Sequence, residues 1–359
     1  MKETKQIVMV GTDPQTMGGV AAVVNVYREA GLFQQYPVRY LSTHRDGGGW
    51  TKLRAAAGAL LSFAGLLLRG RVSLLHCHTA SRNSFWRKTP FFLLAFLFRV
   101  PAILHLHGGE FHLFYEKESG PLKRRLIRFI YDHAAHIIVL SERWRQWVSG
   151  MSRNPNISVI YNPVLLPQPA PDWSQRVPGQ TLFFGRLGKG KGVYDLLAAA
   201  RELKDGHPGL QLALGGDGEV EQARAAAAEL GIGEQTAFLG WVRGEQKLSA
   251  LRQATIYTLP SYNEGMPMSI LEAMAWGLPV LATPVGGIPD AISDGVEGFL
   301  VAPGDVGALA QRWAQLLDDP QLAQRMGEAA RRKVAAVFAT DAVLPRLGQL
   351  YQSLGARDA

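Results

Sequence analysis

The sequence holds 359 residues, 47% of them apolar and 19% charged, with a single cysteine and a net charge of +8. A chain of this length has room for two domains and enough apolar residues for packed cores, which excludes disorder as its main state. The lone Cys77 excludes an internal disulfide and a cysteine-based zinc site, and fits a reducing compartment.

The chain opens with MKETKQIVMVG, which lacks the apolar run of a signal peptide. Short β-rich runs follow at 7–11, 38–41, 73–77, 102–106, 137–140 and 157–160, alternating with helical segments. The apolar runs 57–68 and 89–98 fall short of the roughly 18–20 residues of a spanning helix, so no transmembrane anchor is expected. Both runs are bracketed by cations. Arg69 and Arg71 close the first, Arg87, Lys88 and Arg99 flank the second, and Lys123, Arg124, Arg125 and Arg128 follow on a predicted helix. Up to residue 165 there are 21 Lys and Arg against 9 Asp and Glu, a net +12, which leaves −4 for the remainder. The asymmetry points to an anionic partner: nucleic acid, a membrane surface or a phosphate-bearing substrate. The plainer readings are solvated surface charge and helices buried between sheet and solvent.

Between residues 161 and 180 stand Pro163, Pro167, Pro169, Pro171 and Pro178, a spacing that excludes a helix and reads as an extended linker. Beyond it the alternation resumes, with strand-like runs at 181–184, 210–214, 236–239, 256–259 and 279–282. Strand and helix alternating at this period imply βαβ units and parallel sheets. The expectation is α/β: two Rossmann-like, doubly wound domains facing a cleft, residues 1–165 and 166–337. Ligands of such sheets bind beyond the carboxyl ends of the strands.

Two motifs stand at such ends. TLFFGRLGKGKGVYDLLAAA runs from a strand through a glycine-rich loop with Arg186, Lys189 and Lys191 to a helix from about Val193, a setting suited to a diphosphate. It resembles a Walker A loop except that Gly192 replaces the Ser or Thr that would hold Mg²⁺. SYNEGMPMSILEAMAWGLPVLAT leads from a strand to a helix that begins near Pro267 and ends at Gly277. Glu272 is the one charge in that apolar helix; its carboxylate leans toward the helix start, where paired ligand hydroxyls would satisfy it.

Glu264 and Glu272 form an E-x7-E pattern. With GRLGKGKG before it and LPVLATPVGGIPDAI after, the chain resembles retaining glycosyltransferases of family 4, with the GT-B fold. Gly18-Gly19-Val20, ILHLHGGEF, GGDGE at 215–219 and a C-terminal stretch similar to a helix that crosses back onto the first domain, about 338–359, extend the resemblance over nearly the whole chain.

The resemblance implies a metal-independent transferase that moves a hexose from a UDP- or GDP-linked donor, with no further cofactor. Arg186 and Lys191 would neutralise the donor diphosphate. Glu272 would bind the ribose, and Glu264 with the amides of Gly265 and Met266 the transferred sugar. Amides near Met268 and Ser269 would add to the phosphate site. His107 would lie near the anomeric centre, Gly18 and Gly19 would close over the phosphates, and Gly216 and Val242 would border the base. His76, His78, His105, His107 and His112 admit a rival metal reading, but no Asp-x-Asp pair is present to hold Mn²⁺ or Mg²⁺. The cation-flanked apolar runs, with Arg87, Lys88, Lys123, Arg124, Arg125 and Arg128, point to an anionic membrane and a polyprenyl-diphosphate-linked glycan acceptor. The expected setting is the inner face of the cytoplasmic membrane, in exopolysaccharide or other surface-polysaccharide synthesis. The alternatives are a GT-B nucleotide-sugar epimerase and, from basicity alone, a nucleic-acid-binding module, for which no recognition motif is present.

Overall fold

The computed structural model describes residues 5–357; residues 1–4 of the opening stretch and 358–359 of the C-terminal segment lie outside the described residues. The chain divides into two units, one running to Pro163 and resuming at Thr340, the other spanning Val164–Ala339.

The first unit is a parallel sheet of β1 (Gln6–Gly11), β2 (Val38–Ser42), β3 (Val72–Thr79), β4 (Ala102–Leu106), β5 (His136–Val139) and β6 (Ile157–Val159), in the order β2-β1-β3-β4-β5-β6. Its central strands β1, β3 and β4 are buried almost throughout, without alternation, as in a parallel sheet covered on both faces. The order reverses between β1 and β3, which opens a crevice at their carboxyl ends. The C-terminal helix Thr340–Ser353 belongs to this unit. Its buried Tyr351 meets Tyr36 edge-on, ring centroids 5.3 Å apart, and its hydroxyl lies 2.5 Å from His76 Nδ1.

The helix Gly49–Leu68 corrects one expectation. It begins well before the apolar run and reaches 20 residues, long and apolar enough by length and composition to cross a membrane. Lys52 and Arg54 interrupt its apolar residues in the first two turns. Ala59, Phe63, Leu66 and Leu67 pack inward, while Trp50, Leu53, Leu61 and Leu68 are exposed, Trp50 to 79%.

The second unit pairs β7 (Gln180–Phe184), β8 (Gln211–Gly215), β9 (Thr236–Gly240), β10 (Ile256–Leu259), β11 (Val280–Ala282) and β12 (Gly298–Leu300), all parallel, in the order β12-β11-β10-β7-β8-β9. Strand β12 has no counterpart in the sequence reading. Gly298 permits it: with φ +154°, a Cβ there would stand 1.9 Å from the Val280 carbonyl oxygen. The proline-rich stretch is also more fixed than a linker. Trp173–Gln175 makes one 3₁₀ turn, and buried Arg176 donates to the carbonyls of Leu251, Ala254 and Trp276. The sheet reverses between β7 and β10, the strands that carry the two motifs.

Candidate active site

Beyond β7 the chain passes through Gly185, Arg186 and a 3₁₀ turn at Lys189–Lys191 into the helix Val193–Leu203. Beyond β10 it passes through Ser261 and Glu264 into the helix Met268–Ala275. The loops are joined: the Tyr262 amide donates to the Gly190 carbonyl at 3.1 Å, and the Tyr262 hydroxyl donates to Asp195 at 2.9 Å. Gly192, at φ +68°, lets them approach, since a Cβ would stand 2.1 Å from the Pro260 oxygen.

This contact brings Lys191 Nζ to 2.5 Å from Glu264 Oε1, which also accepts from the Ser261 hydroxyl at 2.7 Å. Glu264 is buried, so its charge rests on these donors. A third loop holds it from below. The Gly287 amide donates to the Gly265 carbonyl at 2.6 Å, and the Thr283 hydroxyl donates to the Ser261 carbonyl at 2.5 Å. Arg186 is exposed and makes no ion pair among the described residues. The helix Met268–Ala275 has no side-chain cap, so its first amides, at Met268 and Ser269, face the same loop region unclaimed by a capping side chain.

Glu272, half-buried, has a partner that sequence reading missed. Lys247, on the helix Gly244–Gln253, donates to Glu272 Oε1 at 2.6 Å. Each carboxylate of the E-x7-E pair is therefore met by a lysine from another element. Gly216 and Val242 lie on the neighbouring strand ends. Gly216, with φ +158°, packs against the Gly185 carbonyl where a Cβ would stand 1.7 Å away, and a Cβ on adjacent Gly215 would come 3.2 Å from Val242.

In the first unit Gly18, at φ +136°, precedes the helix Gly19–Glu29, and both glycines are exposed with open space where a Cβ would stand. His107 follows β4 and pairs with His78, Nε2 to Nδ1 at 2.8 Å; His76 Nε2 lies 3.1 Å from His105 Nδ1. Burial first, then His76 and Lys88, push His107 down to about 3, so it is neutral near pH 7. His76, His78 and His105 each bring one ring atom within 4.8 Å of the others, whereas His112 packs against Trp144.

The cationic set corrects another expectation. Lys88 is only 1% exposed and Arg87 is half-buried, so neither belongs to a membrane-facing surface. Their helix, Asn83–Leu97, packs on β3 and β4 in the middle of the sheet and turns Lys88 inward. Lys123, Arg125 and Arg128 are exposed, and Arg124 is pinned to the carbonyls of Tyr115 and Glu116. With Arg153 the three arginines line a cavity of about 1050 Å³ beside the helix Pro121–His133.

Residues 8–163 match the family described as glycosyl transferase 4-like domain, and residues 176–333 match glycosyl transferases group 1. The chain is 29% identical to a glycogen synthase of Mycobacterium tuberculosis, over 95% of this chain and 84% of that protein. Among solved structures, a sucrose-phosphate synthase of Thermosynechococcus elongatus superposes with a TM-score of 0.82 at 21% identity, covering 98% of this chain and 99% of that one. Anabaena HepE, determined with UDP and glucose, superposes with a TM-score of 0.75 at 18% identity over 97% and 100% of the two chains. These likenesses place both six-stranded units in the GT-B fold.

Proposed function

Since this chain belongs to the glycosyltransferases, with a 4-like domain followed by a group 1 domain, we propose that it moves a hexose, with retention, from a UDP- or GDP-sugar to a polyprenyl-diphosphate-linked glycan. The setting we propose is the inner face of the cytoplasmic membrane, in exopolysaccharide or other surface-polysaccharide synthesis. The observation that carries the donor half is the pairing of Lys191 with Glu264 at the switch point between β7 and β10. The UDP and glucose of the HepE complex support the same donor chemistry.

In this reading Arg186 and Lys191 neutralise the diphosphate as the bond from sugar C1 to phosphate oxygen breaks. Glu264, released from Lys191, accepts from hydroxyls of the transferred sugar, and the Gly265 and Met266 amides donate to the sugar's hydroxyl oxygens. Glu272 accepts the two ribose hydroxyls while Lys247 holds its carboxylate in place. The acceptor oxygen bonds to C1 from the face the leaving group departs, and its proton passes to the departing phosphate oxygen. No protein nucleophile is needed. Arg186 and Lys191 supply the positive charge, so the step calls on no metal, and neutral His107 is suited to hydrogen-bond a sugar hydroxyl.

The acceptor half rests on the first unit, where exposed Trp50, Leu53, Leu61 and Leu68 share one helix with Lys52 and Arg54. Apolar side chains among cations fit a face that rests in anionic lipid. Flotation with liposomes tests it. Binding should rise with anionic lipid and weaken with salt, because charge is screened over about 8 Å at physiological ionic strength. Replacing Trp50, Leu53 and Leu61 by Ser should remove the salt-resistant part of binding, and replacing Lys123 and Arg125 by Gln the salt-sensitive part. Both variants should lose transfer to a lipid acceptor and keep nucleotide-sugar binding. Parent and variants floating equally, or no flotation on anionic liposomes at low salt, would reject the membrane reading.

A further inference from the structure

The segment SRNSFWRK, which follows β3, carries three cations with unequal fates. Arg82 is exposed and held by Glu110 and Glu118. Arg87 and Lys88 make no ion pair among the described residues. Lys88 is buried, and the one bond of its ammonium is donated to the Ser84 hydroxyl at 2.8 Å. Arg87 Nη1 lies 3.2 Å from His44 Nδ1, and its Nε is buried without a partner. Ser84 Oγ already accepts from Lys88 and from the Ala80 amide at 3.2 Å, so its own proton is left to donate.

Desolvation pushes Lys88 down to about 8, and the nearby thiol of Cys77, itself raised by burial to about 12, is neutral and supplies no counter-charge. A buried cation without an anion is costly, and an anion arriving from outside would offset that cost. The location fits such a ligand. His44 follows β2 and the Arg87–Lys88 helix follows β3, at the carboxyl edge of the sheet beside its β1/β3 reversal.

We propose that His44, Ser84, Arg87 and Lys88 form an anion site in the first unit that takes the diphosphate of the lipid-linked acceptor. The proposal rests on the acceptor reading given above and assigns its phosphates to named residues. Arg87 offers a planar fork, Lys88 a point charge and Ser84 a hydroxyl, a donor set matched to phosphate oxygens. The site is distinct from the donor loops, which lie within residues 164–339.

Calorimetry on the full chain, with geranyl diphosphate, inorganic pyrophosphate and geraniol as probes, tests it. Geranyl diphosphate should bind the parent and Lys191→Ala alike, at least as tightly as pyrophosphate, and geraniol should not bind. Lys88→Met and Arg87→Gln should each weaken geranyl diphosphate roughly tenfold or more, the scale of a lost hydrogen bond to a charged group. Lys88→Met removes a buried charge, so it should fold with an undiminished melting temperature; Arg87→Gln gives an independent second reading. Unchanged binding in the variants, loss of binding in Lys191→Ala instead, pyrophosphate binding more tightly than the prenyl ester, or geraniol binding as well as its diphosphate would overturn the proposal. Nucleotide-sugar binding by the same variants reports the donor reading separately and should match the parent.

Discussion

Replacing Lys191 or Glu272 by alanine should lower kcat/KM for transfer by ~10²-fold, about 2.7 kcal/mol of transition-state stabilisation, with the fold intact. The two losses should differ in kind. Lys191→Ala removes charge that matters most as the diphosphate leaves, so it should act mainly on kcat, whereas Glu272→Ala removes a ribose contact made equally before and during reaction and should act mainly on KM. Lys191→Ala also leaves Glu264 buried with Ser261 as its remaining side-chain donor. Adding Glu264→Gln should then cost less than it does in the parent, a coupling that a double-mutant cycle reads directly. Full activity in either single variant would remove the assigned role.

Gly286→Ala should be damaging although the residue bears no functional group. Its φ is +58°, and a Cβ would stand 1.9 Å from the Glu264 carbonyl oxygen, against backbone that has no room to yield. The left-handed conformation alone costs about 1 kcal/mol for alanine, and overpacking adds about 1–3 kcal/mol. Because the clash falls on the residue that must present its carboxylate, a displacement of about 1 Å there should lower transfer by ~10²-fold. Gly295→Ala is the control: φ is +80°, but nothing stands where the Cβ would be, so stability should fall slightly and transfer should persist. Equal rates for the two variants would show that the Gly286 contact does not position the Glu264 loop.

The α/β architecture was legible because the strands of parallel sheets are short apolar runs punctuated by glycine. Glu272 was legible for a related reason, as a single charge in the apolar helix Met268–Ala275. Its partner was not. Lys247 lies 25 residues away on a polar helix, and only the sheet order brings the two together. The cations of the first unit show the same limit in reverse. Counting charge treats Arg87 and Lys88 like Lys123 and Arg125, although Lys88 is buried and Arg87 half-buried while the second pair faces solvent. Burial depends on which helical face meets the sheet, and a run as apolar as 89–98 has no polar side to fix that face. The full length of the helix Gly49–Leu68 was not legible because Lys52 and Arg54 interrupt its apolar residues near the start, and its exposed face follows from which side meets β2 and the helix Asn83–Leu97.

Retaining, metal-independent transfer is tested most directly by proton NMR of the first product formed when the full chain is incubated, in EDTA, with UDP- and GDP-hexoses and a prenyl-diphosphate-linked sugar acceptor. The expected result is release of nucleoside diphosphate and a new anomeric signal of the donor's configuration. An inverted anomer, epimerised donor without transfer, or transfer that appears only when a divalent metal is restored would contradict it.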